Sequence, residues 1–346
     1  MRRQGPLPIE RVAGTPEQIG AQLGTLYRSA IRLSCELTLR AMPLMSKAEV
    51  RAHLDFATKA LKRDFPEVYA EMVATAEAAG VRFDTYLLSL YEELWDNTET
   101  PPVTRGCTDF AARGAATLTG ELLVGHNNDM GTEPYDPVLV EYAPVNGIPF
   151  YAFSIDGFTA SVACNKAGLV LTGNEITATD VKPGIPRLVM MRLMAGVGSM
   201  DEAARLCAYG DRASSYNNIL SDSTGAVRNL EGTATKLAEV PMVDDLLVHT
   251  NHHLVFKELA VEPPTPSSDY RLRRATFLLE EGRGQHTVDT FKAILSDHRR
   301  GEDGICRHGQ NNIASKFSTV FQPEQGLVHY CMGAPCLLPY LTFRYT

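Results

Sequence analysis

Along the first hundred residues apolar positions recur three and four apart. Ile19, Leu23, Tyr27 and Ile31 form one such stripe. Thr15-Pro16-Glu17-Gln18 gives its start: a capping hydroxyl, proline at the first helical position and a residue at N3 able to cap back. Ser46-Lys47-Ala48-Glu49 repeats the signal ahead of Val50, Leu54 and Leu61. Pro66 opens a third helix carrying Val68 and Met72, which Gly80 can end, and a fourth is expected over 85–95. After Pro101-Pro102 the period changes. Leu122-Leu123-Val124, Phe150-Tyr151-Ala152-Phe153, Gly168-Leu169-Val170-Leu171 and Leu246-Leu247-Val248 are short apolar runs bounded by Gly, Asn and Asp, as strands are. Helical patterns return over 187–195, 200–209, 270–280 and 288–295, and strands close the chain near 317–321 and 326–332. Short turns join many of the strands, so the sheet is expected to be largely antiparallel. The segment 261–267 reads as an extended loop.

Composition narrows the class. A chain of 346 residues has ample core for one large domain or two ordinary ones, and 44% hydrophobic with 21% charged residues is a globular balance. The net charge of −8 argues against a nucleic-acid surface, since the basic clusters at 271–274 and 299–300 are short and have acidic neighbours. No run approaches the ~18 apolar residues of a membrane span, and no apolar stretch follows the two arginines near the start. Seven scattered cysteines, an odd number, do not make a disulfide framework. A cytoplasmic protein with reduced thiols, binding neither nucleic acid nor membrane, is the expectation.

Several chemistries lack their motif. No phosphate loop or G-x-S-x-G elbow occurs, and Gly196/Gly198 and Gly282/Gly284 lack the third glycine of a dinucleotide site. The histidines in His249-Thr250-Asn251-His252-His253 follow a strand-like run rather than forming H-E-x-x-H, so His249, Asn251 and His253 are expected on one strand face. Cys306 and His308 with Cys331 and Cys336 could supply four donors to tetrahedral zinc. Their spacing matches no common finger, however, and strand-end cysteines fit as well, so no metal is expected.

Cys107 is set apart by its neighbours. Gly106 lets the preceding peptide take strained dihedrals and be approached closely. A thiol after such a bond can attack the preceding carbonyl. If that bond breaks, Cys107 becomes an N-terminus whose amine titrates near ~7.7–8.0, close enough to ~8.5 for a thiol to serve as its base. A buried cysteine beginning a strand is the competing reading.

The flanking residues carry a resemblance. Arg105-Gly106-Cys107-Thr108-Asp109-Phe110-Ala111 followed by Gly125-His126-Asn127-Asn128-Asp129-Met130 resembles the isopenicillin N acyltransferase (acyl-CoA:6-aminopenicillanic acid acyltransferase) family of self-cleaving N-terminal-nucleophile (Ntn) hydrolases. Asn165-Lys166-Ala167-Gly168-Leu169, Ser215-Tyr216-Asn217-Asn218, His249-Thr250-Asn251-His252, Ser268-Asp269-Tyr270-Arg271, Ile305-Cys306-Arg307-His308 and Gly333-Ala334-Pro335-Cys336 follow in the family's order. The resemblance implies an α/β (α+β) fold, a four-layer αββα sandwich forming one structural domain. It also implies cleavage between Gly106 and Cys107 into a helical fragment, 1–106, that stays associated with the fragment 107–346. On these residues Cys107 is the nucleophile, and Asp129, in an asparagine-rich turn, holds its amine. Asn251 is the oxyanion donor. Arg271 orients the nucleophile or pairs with a substrate carboxylate, and Ser268 supports that segment. Arg105, Thr108, Asn127 and Asn217 are supporting or substrate-binding residues by the same resemblance. Asn127-Asn128-Asp129 departs from the commoner Asn-Trp-Asp, which bears on pocket shape. The implied activity is hydrolysis of a small N-acyl amino compound without a cofactor. The alternative is transfer to an amine or β-lactam nucleus with a coenzyme A thioester as co-substrate. A homo-oligomer is left open.

Overall fold

The computed structural model describes residues 9–40, 47–94, 105–132, 136–155, 160–309 and 312–346. Ser46, Trp95, Pro101 and Pro102, which figure in the sequence reading, lie outside the described residues, as does the side chain of Arg105. Thr15 caps α1 (Pro16–Leu26), accepting from the Gln18 amide while the Gln18 side chain caps back. The Ile19–Ile31 stripe spans two helices, for the chain breaks at Tyr27 and resumes as α2 (Arg28–Arg40). After α3 (Lys47–Asp64), α4 (Pro66–Ala79) ends at Gly80, whose φ of 72° is the left-handed cap that glycine adopts freely. The fourth helix expected from sequence is shorter: α5 (Phe83–Ser89) gives way to a 3-10 turn at Glu92–Leu94.

The first hundred residues are not purely helical. β1 (Glu10–Gly14) lies at the edge of an eight-stranded sheet, parallel to β4 (Pro137–Pro144). Only Val12 of its five residues is buried, too little alternation to reveal a strand. The sheet continues antiparallel through β5 (Phe150–Ile155), β6 (Val162–Asn165), β7 (Val170–Asn174), β8 (Asn217–Ser221), β9 (Val227–Gly232) and β10 (Leu237–Glu239). A second, antiparallel sheet has six strands. Their order is β11 (Leu246–His249), β2 (Arg105–Ala112), β3 (Leu123–Gly131), β12 (Ile313–Gln322), β13 (Leu327–Cys331) and β14 (Leu341–Arg344).

Three apolar cores make four layers. Val140, Phe150, Leu171 and Leu220 of the first sheet pack against α1–α5, α6 (Arg187–Ala195) and α7 (Met200–Cys207). The opposite faces of these strands, with Phe153, Val170 and Ile219, meet Ala111, Val124, Phe317 and Phe321 of the second sheet. Phe110, Leu123 and Val320 then cover α8 (Pro266–Glu281) and α9 (Val288–Leu295) through Ala275, Leu279, Phe291 and Leu295. Helices, sheet, sheet and helices form the αββα sandwich that the sequence resemblance implies. Period-two alternation along β2 therefore sends Cys107, Asp109 and Ala111 between the sheets and Gly106, Thr108 and Phe110 toward the helices. Among the described residues, no helix is long and apolar enough to cross a membrane.

The outer helices meet backbone to backbone. A Cβ on Gly20 would lie 2.1 Å from the Glu71 carbonyl oxygen, and one on Gly24 2.2 Å from that of Thr75. Only glycine lets α1 and α4 approach so closely. We expect Gly24→Ala to destabilise the protein by about 1–3 kcal/mol, the usual range for forcing atoms into a packed core. Thermal unfolding measures this, and an unchanged melting temperature would contradict the close packing.

Candidate active site

Cys107 sits in β2 just beyond the end of β11, which reaches only to Asp109, with Gly106 opposite Asp129 and Cys107 opposite Asn128 of β3. Residues 125–130, read from sequence as an asparagine-rich turn, are the middle of β3. Their polar side chains are buried and partnered by distant segments, which hides the strand from hydropathy. His126 Nδ1 is 3.0 Å from both carboxylate oxygens of Asp109. Asn127 Nδ2 donates to the carbonyls of Leu295 at 2.8 Å and Ile305 at 3.0 Å. Asn127 therefore braces β3 against the segment after α9 rather than facing a substrate.

The Cys107 amide donates to Asn251 Oδ1 at 2.8 Å. The Arg271 guanidinium donates through Nη1 to the Cys107 carbonyl and, at 2.9 Å, to Thr108 Oγ1. Its Nη2 reaches Asn251 Oδ1 at 2.8 Å and its Nε reaches Ser267 Oγ at 3.2 Å. Arg271 is 2% exposed and committed to main chain and neighbours, an arrangement that orients β2 and leaves little reach for a substrate carboxylate. Burial draws its pKa down to about 10 against the opposing pull of Asp129, so it stays a cation at neutral pH.

Asp129 and Asn251 have further partners in the uncleaved chain. With the peptide intact the Cys107 nitrogen is taken by Asn251, and Asp129, opposite Gly106, lies on the helix face of the sheet. There Ser315 Oγ donates to its Oδ1 at 2.6 Å, and Arg307 Nη1 stands 4.0 Å from Oδ2. Asn251 presents its carbonyl oxygen to Cys107 because both groups there are donors, and its Nδ2 donates to the Glu175 carbonyl at 3.0 Å. The strand expected through His253 ends at His249. The turn beyond is held by Glu231, which accepts from the amides of Leu254 at 2.7 Å, Val255 at 3.0 Å and Phe256 at 2.9 Å. His249 and His253 also face Glu231, so the histidine cluster braces a carboxylate. Ser268 Oγ accepts from the Asn251 amide at 2.9 Å and so ties the start of α8 to the turn after β11. Asn217 is buried in β8 opposite Glu231 and bonds neither Cys107 nor Asn251.

The thiol itself is nearly enclosed. Among the described residues its one hydrogen-bond contact is Asn128 Nδ2, 3.8 Å from Sγ, and no imidazole pairs with it. Burial pushes the thiol pKa up, and the charges of Asp109, Asp129 and Glu175 add to the effect while Arg271 opposes it. A Cβ on Gly106 would press on the Arg307 guanidinium, 3.0 Å from its Nη1, with Arg271 Nη2 at 3.5 Å and Asp129 Cβ at 3.6 Å.

The sequence reading gave no role to Arg307, Ser315, Asn128 or Glu175. Ser267 and Arg271 lie in the early turns of α8 because it begins at Pro266 with Thr265 as its cap, earlier than expected. The same Thr-Pro signal read at 15–16 stands at 265–266 and could have found it.

Residues 117–336 match the family model described as acyl-coenzyme A:6-aminopenicillanic acid acyl-transferase; the match begins beyond Cys107. No curated protein matches the chain. A variant of the conjugated bile acid hydrolase from Clostridium perfringens is 14% identical with a TM-score of 0.46, over 69% of this chain and 97% of that one. Penicillin V acylase from Agrobacterium tumefaciens is 14% identical with a TM-score of 0.41, over 65% of this chain and 83% of that one.

Burial raises the Asp129 carboxyl, and Arg271, Arg307, Ser315 and His126 only partly offset it. The folded state thus keeps this proton to a higher pH than the unfolded chain, whose aspartates titrate near ~3.9. Stability from this group falls as pH rises from the unfolded value through the folded one, and the loss persists above it. In a Cys107→Ala background, Asp129→Asn should raise the melting temperature at neutral pH and converge with its parent in acid. A lower value at neutral pH would show that the arginines more than offset burial.

Proposed function

The chain belongs to the acyl-coenzyme A:6-aminopenicillanic acid acyl-transferase family, and from that premise we propose that it is a self-processing thiol amidohydrolase acting on a small N-acyl amino compound. The observation that carries this reading is the Cys107 environment. Its thiol is buried, held in the protonated form and without an imidazole, so an effective base must come from elsewhere. Its own α-amine, once freed, is that base.

Processing begins when Cys107 Sγ attacks the Gly106 carbonyl carbon. The C–N bond breaks, leaving a thioester on sulfur and a free amine on Cys107. Water then cleaves the thioester to a Gly106 carboxylate and a thiol. Asn251 holds the nitrogen of this peptide and Arg271 the carbonyl of the next one, so the Cys107 backbone is fixed on both sides of its Cα. The 106-residue fragment stays bound because β1 pairs with β4 and α1–α5 share a core with the first sheet.

In turnover the freed amine takes the thiol proton, sulfur attacks the substrate amide and the proton passes to the departing amine. Asn251 Nδ2 gives one N–H to the Glu175 carbonyl and in this reading donates the other to the oxyanion. Asp129, Arg307 and Arg271 set the charge around the new termini. Water resolves the acyl-enzyme to a carboxylic acid. The family description favours a second outcome, in which an acyl group from a coenzyme A thioester passes from Cys107 to an amine.

Mass spectrometry after incubation with an acyl thioester tests the reading. We expect one acyl group on Cys107, none in Cys107→Ala, and a kcat about 10²–10³-fold lower in Asn251→Ala. Release as free acid supports hydrolysis, whereas release as amide only when an amine is added supports transfer. A turnover-competent Cys107→Ala variant would overturn both.

A further inference from the structure

We propose that His298, Cys306, His308 and Cys336 form a structural zinc site beside the candidate active site. They come from three segments: the turn after α9, the run leading into β12, and the loop between β13 and β14. The ligand atoms of His298, His308 and Cys336 lie within 4.8 Å of one another. Cys306 Sγ is 3.7 Å from Cys336 Sγ and 3.7 Å from His308 Nε2, and Cys336 Sγ is 3.4 Å from His308 Nε2.

The three separations among Cys306, Cys336 and His308 are those of a tetrahedron's edges, and His298 stands within 4.8 Å of the latter two. Zn–S bonds of ~2.3 Å and Zn–N bonds of ~2.0–2.1 Å imply about 3.8 Å between sulfurs and about 3.5 Å from sulfur to nitrogen. His298 adds a second mark, because its Nδ1 lies 3.0 Å from the Ser296 carbonyl oxygen. That bond fixes the proton on Nδ1 and leaves Nε2 free, the arrangement by which ligand histidines are usually oriented. Two imidazoles converging on two thiols have no function in a disulfide. Two thiolates and two neutral imidazoles would neutralise one divalent zinc, each thiol releasing its proton on binding. With four protein donors no position stays open for substrate, so the ion is structural.

The sequence grouping of Cys306, His308, Cys331 and Cys336 is thus revised by one member. Cys331 Sγ turns instead to the carbonyls of Gly333 at 3.7 Å and Leu338 at 3.6 Å, and His298 takes its place. Zinc here would pin Arg307, which stands between two ligands and reaches toward Asp129 and Gly106.

The test uses the full-length protein, reduced and stripped by a chelator, then titrated with zinc alone and with cobalt for spectroscopy. One equivalent should bind, cobalt should show thiolate charge-transfer absorption, and the melting temperature should rise with zinc concentration. His298→Ala, at an exposed position, should weaken binding at least ~10-fold, Cys336→Ser more so, and Cys331→Ser not at all. No uptake by the reduced protein would overturn the proposal. So would binding indifferent to both His298→Ala and Cys336→Ser, or a Cys306–Cys336 disulfide, two hydrogens lighter, formed in place of uptake.

Discussion

The bond from the Cys107 amide to Asn251 Oδ1 solves a problem created by the end of a strand. β11 stops at His249, opposite Asp109, while β2 continues past that point to Arg105. A buried amide left there without an acceptor would cost about 1–3 kcal/mol. The chain after β11 turns away from the ladder but leaves the Asn251 side chain in the partner's place, at 2.8 Å. A side chain replaces a ladder acceptor at the peptide proposed to break. Once that nitrogen is an amine, the same contact can hold it beside the thiol.

The rest of the fold keeps this contact in place. Glu231 reaches across from the first sheet and gathers three successive amides of the turn. Burial alone would raise its carboxyl, but hydrogen bonds from His249, His253 and the Phe256 and Leu254 amides outweigh it and hold it well below the usual carboxylate range. From the other side Ser268 binds the Asn251 amide, and Arg271 binds both Asn251 and the Cys107 carbonyl. Two buried arginines facing one buried carboxylate make the Gly106 side of the peptide rich in positive charge and poor in space. A positive field there favours the anion that develops when a carbonyl is attacked, and a side chain at 106 would displace the Arg307 guanidinium.

Elements whose burial follows periodicity were legible in the sequence. Helices 187–195 and 288–295 match their patterns to the residue, because caps and apolar stripes are local properties. β1 was not legible, with one buried side chain, nor was β3 beyond Leu123 and Val124. Its His126, Asn127 and Asp129 are buried against partners from residue 109 to residue 315, and no window of local sequence contains them. The site divides in the same way. Covalent logic made Gly106-Cys107 a candidate beside the reading of a buried strand cysteine, and the resemblance chose between them and added Asn251, Arg271 and Ser268. Asp129's true neighbours and Arg307's approach to Gly106 needed the packing of α8 and the loop before β12 onto the second sheet.

Peptide mapping of the freshly purified wild-type chain addresses the central claim most directly, because it reads the N-terminal residue of the larger fragment. The expected result is a 240-residue fragment beginning with a free α-amine on Cys107, co-purifying with the 106-residue fragment that ends at Gly106. A catalytically active preparation in which all 346 residues remain on one unbroken chain would contradict it.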